Sequence, residues 1–341
     1  MFDLKEYGYS GNKTLPNGAI PARVTATHRD RYELICEHGP CGAHLRRSIA
    51  FAEVPTTGDF VALSYNPAGD GVITALLPRK TVFVRHDSFS GAYQAVAANF
   101  DYVFITTSLN DDFNIARLER YFAQALESGG QPVFLLTKLD CAIDAPGKIA
   151  RVMDIAFGAP VIAISSTTGE GLDQLAAYMQ PGITIALLGS SGVGKSTLVN
   201  TLEGRNIMKV NAIREDDSKG RHTTTHRQLI RLSSGAMIID TPGMRELGLW
   251  DASEGVAEAF DDIAALAASC KFRDCSHTHE PGCAIRRALK EGAVDAKRVE
   301  NYLRLKDEAD NTATKAELMR KRREAFKAIS QYARQLKKDR R

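Results

Sequence analysis

The stretch Gly189, Ser190, Ser191, Gly192, Val193, Gly194, Lys195, Ser196, Thr197 constrains the fold more than any other part of this 341-residue chain. It fits G-x-x-x-x-G-K-[ST], follows the apolar run Ile183–Leu188 and opens a helical pattern over Ser196–Leu202. Strand, glycine turn and helix in that order make a phosphate cradle. The glycines let backbone N–H groups curl round the anion, and the helix N-terminus adds its positive end. In such a cradle Lys195 neutralises β- and γ-phosphates and the Ser196 hydroxyl ligates Mg2+. The competing reading, a chance match on a glycine-rich turn, does not account for the strand before it and the helix after it.

The chain on either side has two textures. Before residue 85, short β-type runs predict strands at Ala22–Ala26, Tyr32–Cys36, Asp59–Ser64, Val72–Leu77 and Thr81–Val84, a small barrel or sandwich. From about residue 100, strands predicted at Tyr102–Thr107, Val133–Leu136, Val161–Ile164, Ile183–Leu188 and Ala236–Ile239 alternate with helical patterns. Those helices are Ile115–Leu126, one near Lys148–Phe157, and Leu172–Met179. Alternation of this kind predicts a parallel α/β sheet with helices on both faces. After Trp250 the pattern is helical.

A phosphate cradle does not choose a base. Thr137, Lys138, Leu139 and Asp140 end the run Val133–Leu136 and resemble the [NT]-K-x-D element of GTPases. There Asp140 accepts from guanine N1–H and the 2-amino group, which adenine does not offer, and the Lys138 stem lies along the base. Ser165 and Ser166 follow the next strand, where a backbone N–H is expected near guanine O6. Asp240-Thr241-Pro242-Gly243 fits an aspartate bound to Mg2+ through water, with the Gly243 N–H facing the γ-phosphate. In the polar loop Arg221–His226, Thr225 is favoured over Thr224 as a second Mg2+ ligand by its spacing to the following strand. The base-reading pair precedes the phosphate loop here, the reverse of small GTPases. Circular permutation accommodates this, because joining nearby termini and cutting elsewhere leaves strand pairing intact.

With a β-rich region before these elements and a Cys/His knot after them, the chain resembles the RsgA family of circularly permuted, ribosome small-subunit-dependent GTPases. The likeness extends to Gly58-Asp59-Phe60-Val61, Leu77-Pro78-Arg79, Phe272-Arg273-Asp274-Cys275 and Glu280-Pro281-Gly282-Cys283. Thr137 replaces the more frequent Asn, and Ser166 the usual Ala. The resemblance implies an OB-fold, here over residues 1–88, and a permuted GTPase domain, here over 89–248; the residues themselves predict a zinc-binding helical domain over 249–300 and a basic helix over 301–341. The resemblance further implies GTP hydrolysis, late maturation of the 30S subunit, contact with its 16S rRNA, and a monomer.

Ras-like enzymes place a glutamine after Asp-x-x-Gly to position the attacking water. Met244 stands there and cannot. That predicts a slow intrinsic GTPase or another residue in the role. His222 is the candidate because it precedes the threonines that would approach the γ-phosphate, and in the RsgA family the matching histidine has been proposed for catalysis; anchoring a polar loop or touching RNA is the competing role.

Cys270, Cys275, His277 and Cys283 offer three thiolates and an imidazole within fourteen residues, a closed tetrahedral zinc shell of structural type. His279 is the rival histidine, and the family pattern favours His277. Cys36, His38, Cys41 and His44 have plausible metal spacing without a family counterpart.

Charge speaks last. Lys and Arg number 44 against 41 Asp and Glu, a net +3 that argues against a uniformly basic coat. Residues 296–341 alone hold fifteen basic and seven acidic residues, so +8 there leaves −5 for the remainder. Arg320 to Arg323, Lys327, Arg334, Lys337, Lys338, Arg340 and Arg341 interleave with Phe326, Ile329 and Tyr332, a helix suited to rRNA phosphates or else a solubilising tail. Arg46-Arg47 and Arg79-Lys80 are less specific. No run approaches the roughly 20 apolar residues of a membrane span, and Met1–Gly11 lacks a signal-peptide core; a cytoplasmic setting is expected. A nucleotide-regulated RNA-binding assembly chaperone is the alternative function, and a metabolic kinase fits poorly with the base element.

Overall fold

Period-two burial governs the first part of the chain. A computed structural model describes residues 2–11, 15–16, 18–46, 54–86, 93–110, 112–208, 228–240 and 253–310. Five strands, β1 (Ile20–Thr27), β2 (Tyr32–Cys36), β3 (Gly39–Leu45), β4 (Phe60–Ser64) and β5 (Gly71–Leu76), pair in the order β1-β2-β3-β5-β4. β4 returns to β1 and closes the barrel. The β3–β5 pair is parallel and its neighbours antiparallel, the OB-type arrangement. Ala22 and Val24 of β1 and Tyr32, Leu34 and Cys36 of β2 point inward at alternate positions, and Val61, Leu63 and Ile73 complete the core. β3 has no counterpart among the expected strands, since Gly39, Pro40 and Gly42 read as turn. Its pairing with β2, from Tyr32↔Ala43 to Cys36↔Gly39, imposes the strand.

A ribbon of β6 (Val82–His86) and β7 (Tyr93–Ala98) leads to the nucleotide half. There β8 (Tyr102–Ser108), α1 (Ile115–Glu127), β9 (Gln131–Thr137), α2 (Ala145–Ala156), β10 (Val161–Ala163), β11 (Thr184–Leu188), α3 (Lys195–Glu203), β12 (Gln228–Arg231) and β13 (Met237–Asp240) follow in chain order. The strands lie as β10-β9-β8-β11-β13-β12, all parallel except β12. α1 starts where the Asn114 side chain accepts the Arg117 N–H at 3.0 Å. Its Leu118, Tyr121, Phe122 and Ala125 recur at helical spacing and are buried. Phe104, Leu135, Ile162, Leu187, Leu198 and Val199 form the core beneath the phosphate loop. The segment expected as a helix over Leu172–Met179 is a 3-10 helix, Leu172–Tyr178. A pairing of Ala26 with Gln228 joins β1 to β12, so barrel and nucleotide half share one eleven-stranded sheet.

The chain divides into two compact units, residues 1–85 with 94–247 and residues 86–93 with 248–341. Within the second, α4 (Ser253–Ala259), α5 (Asp261–Ala268), α6 (Ala284–Lys290) and helical residues 296–310 bury Val256, Phe260, Ile263, Ile285, Tyr302 and Leu305. No helix among the described residues is long and apolar enough to cross a membrane.

Candidate nucleotide site and metal centre

β11 is buried along its whole length and delivers the chain to Gly189 at the carboxyl edge of the sheet. A Cβ on Gly189 would lie 2.4 Å from the Thr106 carbonyl oxygen, so only glycine lets the loop leave the sheet here. Gly192 and Gly194 turn the loop in the left-handed region, at φ 80° and 99°. α3 then begins at Lys195, whose Nζ donates to the carbonyls of Gly189 at 2.8 Å and Ser190 at 2.7 Å. Val193 is buried under the loop, while Ser196 and Thr197 stand half-buried in the first turn of α3. Asp240 ends β13 directly beside Leu187 of β11. Burial pushes its carboxyl above the ordinary value, and the nearby Lys195 charge pulls the other way.

The base side is knitted to this loop. Thr137, the last residue of β9, donates its hydroxyl to the Val193 carbonyl of the phosphate loop, with the Thr107 carbonyl 3.2 Å away. Lys138 takes a left-handed conformation at φ 58° and starts the turn that carries Leu139 and Asp140. The Leu139 N–H donates to the Ile164 carbonyl at 3.1 Å. The Ser165 hydroxyl donates to Asp140 Oδ1 at 2.6 Å. That bond, with a weaker one from Cys141, holds the Asp140 carboxyl below its ordinary range. The Ser165 N–H is taken by the Glu170 carbonyl at 2.9 Å, so the side chain is what Ser165 brings to Asp140. Thr201 of α3 donates to the Ser166 carbonyl at 3.3 Å and braces the same turn.

The sequence pattern thus names residues that the fold brings together across 56 positions, from Thr137 to Val193. The Ser165 hydroxyl and the Asp112 carboxylate, which accepts from Ser190 Oγ at 2.9 Å, were not foreseen. No residue pattern marks either contact. His222, Thr224, Thr225, Gly243, Met244, Arg47 and the stretch 311–341 lie outside the described residues.

In the second unit Cys270 follows the Ser269 cap of α5, Cys283 caps α6, and His277 sits between them in a left-handed conformation at φ 64°. The ligand atoms of Cys270, Cys275, His277 and Cys283 all lie within 4.8 Å of one another. Nδ1 of His277 is 3.5 Å from Cys270 Sγ and 3.6 Å from Cys283 Sγ, and those sulfurs are 3.9 Å apart. These are the edges of a tetrahedron whose centre suits a metal with bonds of roughly 2.0–2.3 Å, so the donor set is compatible with zinc. His279 instead meets Thr278 Oγ1 at 2.7 Å and stands outside the set. Cys36 and Cys41 come within 3.8 Å of each other. His38, however, stacks on Tyr65, and His44 pairs with Asp70. Strand alternation turns Cys36 and Cys41 inward, away from His44, and the thiol set at 270–283 is the one metal-capable group among the described residues.

A family model described as RsgA GTPase matches residues 76–250. An ABC transporter model matches residues 172–334, a span that holds the phosphate loop and omits Thr137 to Asp140. The chain is 45% identical over 315 residues to Small ribosomal subunit biogenesis GTPase RsgA 2 of Lactiplantibacillus plantarum, covering 90% of this chain and 89% of the relative. It is 44% identical over 335 residues to Small ribosomal subunit biogenesis GTPase RsgA 1 of Listeria monocytogenes, covering 96% and 95%. Among solved structures, YjeQ from Thermotoga maritima superposes with a TM-score of 0.62 at 25% identity, over 84% of this chain and 97% of that one. YloQ, a circularly permuted GTPase, gives a TM-score of 0.57 at 22% identity over 86% and 96%, a likeness of fold. On these matches and this arrangement of strands, the chain belongs to the RsgA GTPase family.

Proposed function

We propose that this chain hydrolyses GTP, docks on the 30S ribosomal subunit in the GTP form, assists late maturation and leaves after hydrolysis. The observation that carries the reading is the bond from the Thr137 hydroxyl to the Val193 carbonyl. It joins the base-reading element to the phosphate loop, which the chain presents in permuted order, and so supports a single guanine-nucleotide site. The partner follows from the relatives, whose names assign them to small ribosomal subunit biogenesis.

In this reading Asp140, oriented by Ser165, accepts from guanine N1–H and the 2-amino group, with Lys138 and Leu139 shaping the base pocket and Ser166 at O6. Backbone N–H groups from Ser190 to Thr197 surround the phosphates, and Lys195 offsets their charge. Ser196 and Thr225 would hold Mg2+ directly and Asp240 through water, and the ion would supply positive charge to offset that of the phosphates. The Gly243 N–H faces the γ-phosphate, and its loss on hydrolysis releases the switch that leads into the second unit. His222 positions or activates the attacking water, the place Met244 cannot fill. Residues 1–88 and the basic helix 301–341 meet 16S rRNA, the 89–248 segment turns over GTP to GDP, and residues 249–300 fold round one structural zinc. The protein acts as a cytoplasmic monomer.

Turnover of GTP with and without purified 30S subunits tests this. Stimulation is expected, and none would overturn it. His222→Ala lowers turnover on the subunit while GTP affinity stays; unchanged turnover removes His222 from catalysis. Chelation increases proteolysis in residues 249–300 and spares nucleotide affinity; full protease resistance after chelation argues against the zinc.

A further inference from the structure

The turn between β8 and α1 supplies none of the guanine-site elements, yet it reaches the phosphate loop. Ser190, the loop's second residue, is buried and donates its hydroxyl to Asp112 Oδ2 at 2.9 Å. The other carboxylate oxygen faces Arg117 Nη2 of α1 at 3.0 Å, and Arg117 also donates to the Asp112 carbonyl. The turn is braced from behind. Lys148 of α2 donates Nζ to the Leu109 carbonyl at 2.7 Å, and it lies with Arg151 against the Phe113 ring. Asn110 Oδ1 accepts from the Ser108 hydroxyl at 2.7 Å and from the Asp112 N–H at 3.2 Å. α2 is also the helix that follows the base-reading turn. Asp112 therefore approaches the phosphate loop from an anchored element.

We infer that Asp112 is a positioning residue for the phosphate loop, acting through the Ser190 hydroxyl to hold the loop's first turn in its nucleotide-ready shape. This rests on the nucleotide site proposed above. A carboxylate repels phosphate, so its place is behind the loop, with Arg117 offsetting its charge. A loop ordered beforehand loses less conformational freedom when it wraps an anion. The β-phosphate is common to GDP and GTP, so the contribution falls on both alike. It appears in KM and leaves kcat unchanged, the mark of an interaction equal in ground and transition states.

The full-length chain carries the test, with affinities for fluorescent GDP and a non-hydrolysable GTP analogue measured beside 30S-stimulated turnover. Asp112→Ala raises both Kd values and KM about tenfold, the scale of one hydrogen bond to a charged group, with kcat held. The nucleotide-free melting temperature falls only slightly, because the Asp112 side chain is 44% exposed and water can take its place beside the Ser190 hydroxyl. Asp112→Asn keeps an acceptor oxygen and restores affinity to within about threefold. Ser190→Ala reproduces the loss, and the double variant loses no more than either single one. Wild-type affinity in Ser190→Ala, additive losses, or a lowered melting temperature without an affinity change would each overturn the inference. A wild-type chain that binds nucleotide but ignores 30S subunits overturns only the functional reading, and the affinity comparison still decides this one. A wild-type chain that binds neither nucleotide overturns both.

Discussion

A buried hydroxyl at position 137 sets how firmly the base side is tied to the phosphate side. Thr137→Val keeps the shape of the side chain and removes the donor, so the Val193 carbonyl is left without it inside the fold. Such a loss costs about 1–3 kcal/mol, and titration with fluorescent GDP should show affinity falling about tenfold or more. Thr137→Asn keeps a donor and should bind close to wild type; equal affinity in the valine variant would remove the tie from the site. Asp240 carries the opposite kind of cost. Burial raises its carboxyl above the ordinary 3.8 in the folded chain. The contribution to stability is therefore intact below the unfolded value and lost as pH rises through the folded one. Near neutral pH the ionised carboxylate weakens the nucleotide-free fold, so Asp240→Asn melts higher than wild type. The gap closes below about pH 4, where both side chains are neutral. Calorimetry at the two pH values measures it, and coincident melting at neutral pH would contradict the burial argument. The spacing of motifs named Asp140, Ser165 and Asp240 as members of one site. It assigned a backbone N–H to the Ser165-Ser166 turn and missed the Ser165 hydroxyl, because a residue pattern carries identity and order while the hydroxyl contact to Asp140 depends on how two turns meet.

Among elements, legibility followed the strength of the local pattern. β11, α3 and β8 are long apolar or periodic runs and lie within a residue or two of where their patterns put them. β3 and β12 did not announce themselves. Gly39, Pro40 and Gly42 break the strand signal of β3, and β12 spans only four residues. Both are strands because a partner imposes the register, which is a non-local fact. The motif residues Asp59 and Arg79 also changed meaning. They entered as marks of family resemblance, and Arg79 also as part of a basic pair too unspecific to name as an RNA contact. In the fold Arg79 Nε and Nη2 donate to the two Asp59 oxygens at 2.8 and 2.7 Å, with the Asp59 side chain 0% exposed. The Thr56 N–H also donates to Asp59. The pair fastens the segment after β5 to the entry of β4. Arg79→Met leaves a buried carboxylate without its cation and should cost about 3–5 kcal/mol. Urea unfolding measures this; a cost within experimental error would return Arg79 to the surface role.

At the scale of the whole molecule, the charge count separated an acidic body from a basic tail, but composition and motif order left the barrel as an independent domain. Arg23 argues otherwise. An arginine within Ile20–Thr27 looks like a surface charge, yet it is the largest fully buried side chain among the described residues. It donates from Nε to the Gly58 carbonyl at 3.2 Å and from Nη2 to the Asn99 carbonyl at 2.8 Å. Nη1 meets the Tyr7 carbonyl at 2.6 Å and Thr184 Oγ1 at 3.0 Å. Its partners thus span the barrel and the start of β11, the strand that ends in the phosphate loop. Desolvation brings its pKa down to about 10, against the pull of Asp101 and Asp59, so it stays charged at neutral pH. Beside it Gly58 sits at φ +92°, where a Cβ would lie 2.0 Å from the Ala98 carbonyl oxygen; the seam is too close for any other residue. Barrel and nucleotide half should therefore unfold together, and a nucleotide that binds one half should protect both. Arg23→Met fills similar space over Phe60 but strands several buried acceptors at about 1–3 kcal/mol each. Hydrogen exchange reads the outcome: in the wild-type chain GDP slows exchange in β1, β2 and β4 as well as in β11. In Arg23→Met the protection is confined to the nucleotide half, and the barrel exchanges at its own faster rate. Barrel protection by GDP that survives the substitution would mean that the other joints, the β1–β12 pairing and the bonds from the Ala98 N–H to the Thr57 carbonyl and from Asn99 Nδ2 to the Gly58 carbonyl among them, hold the halves together without the buried arginine.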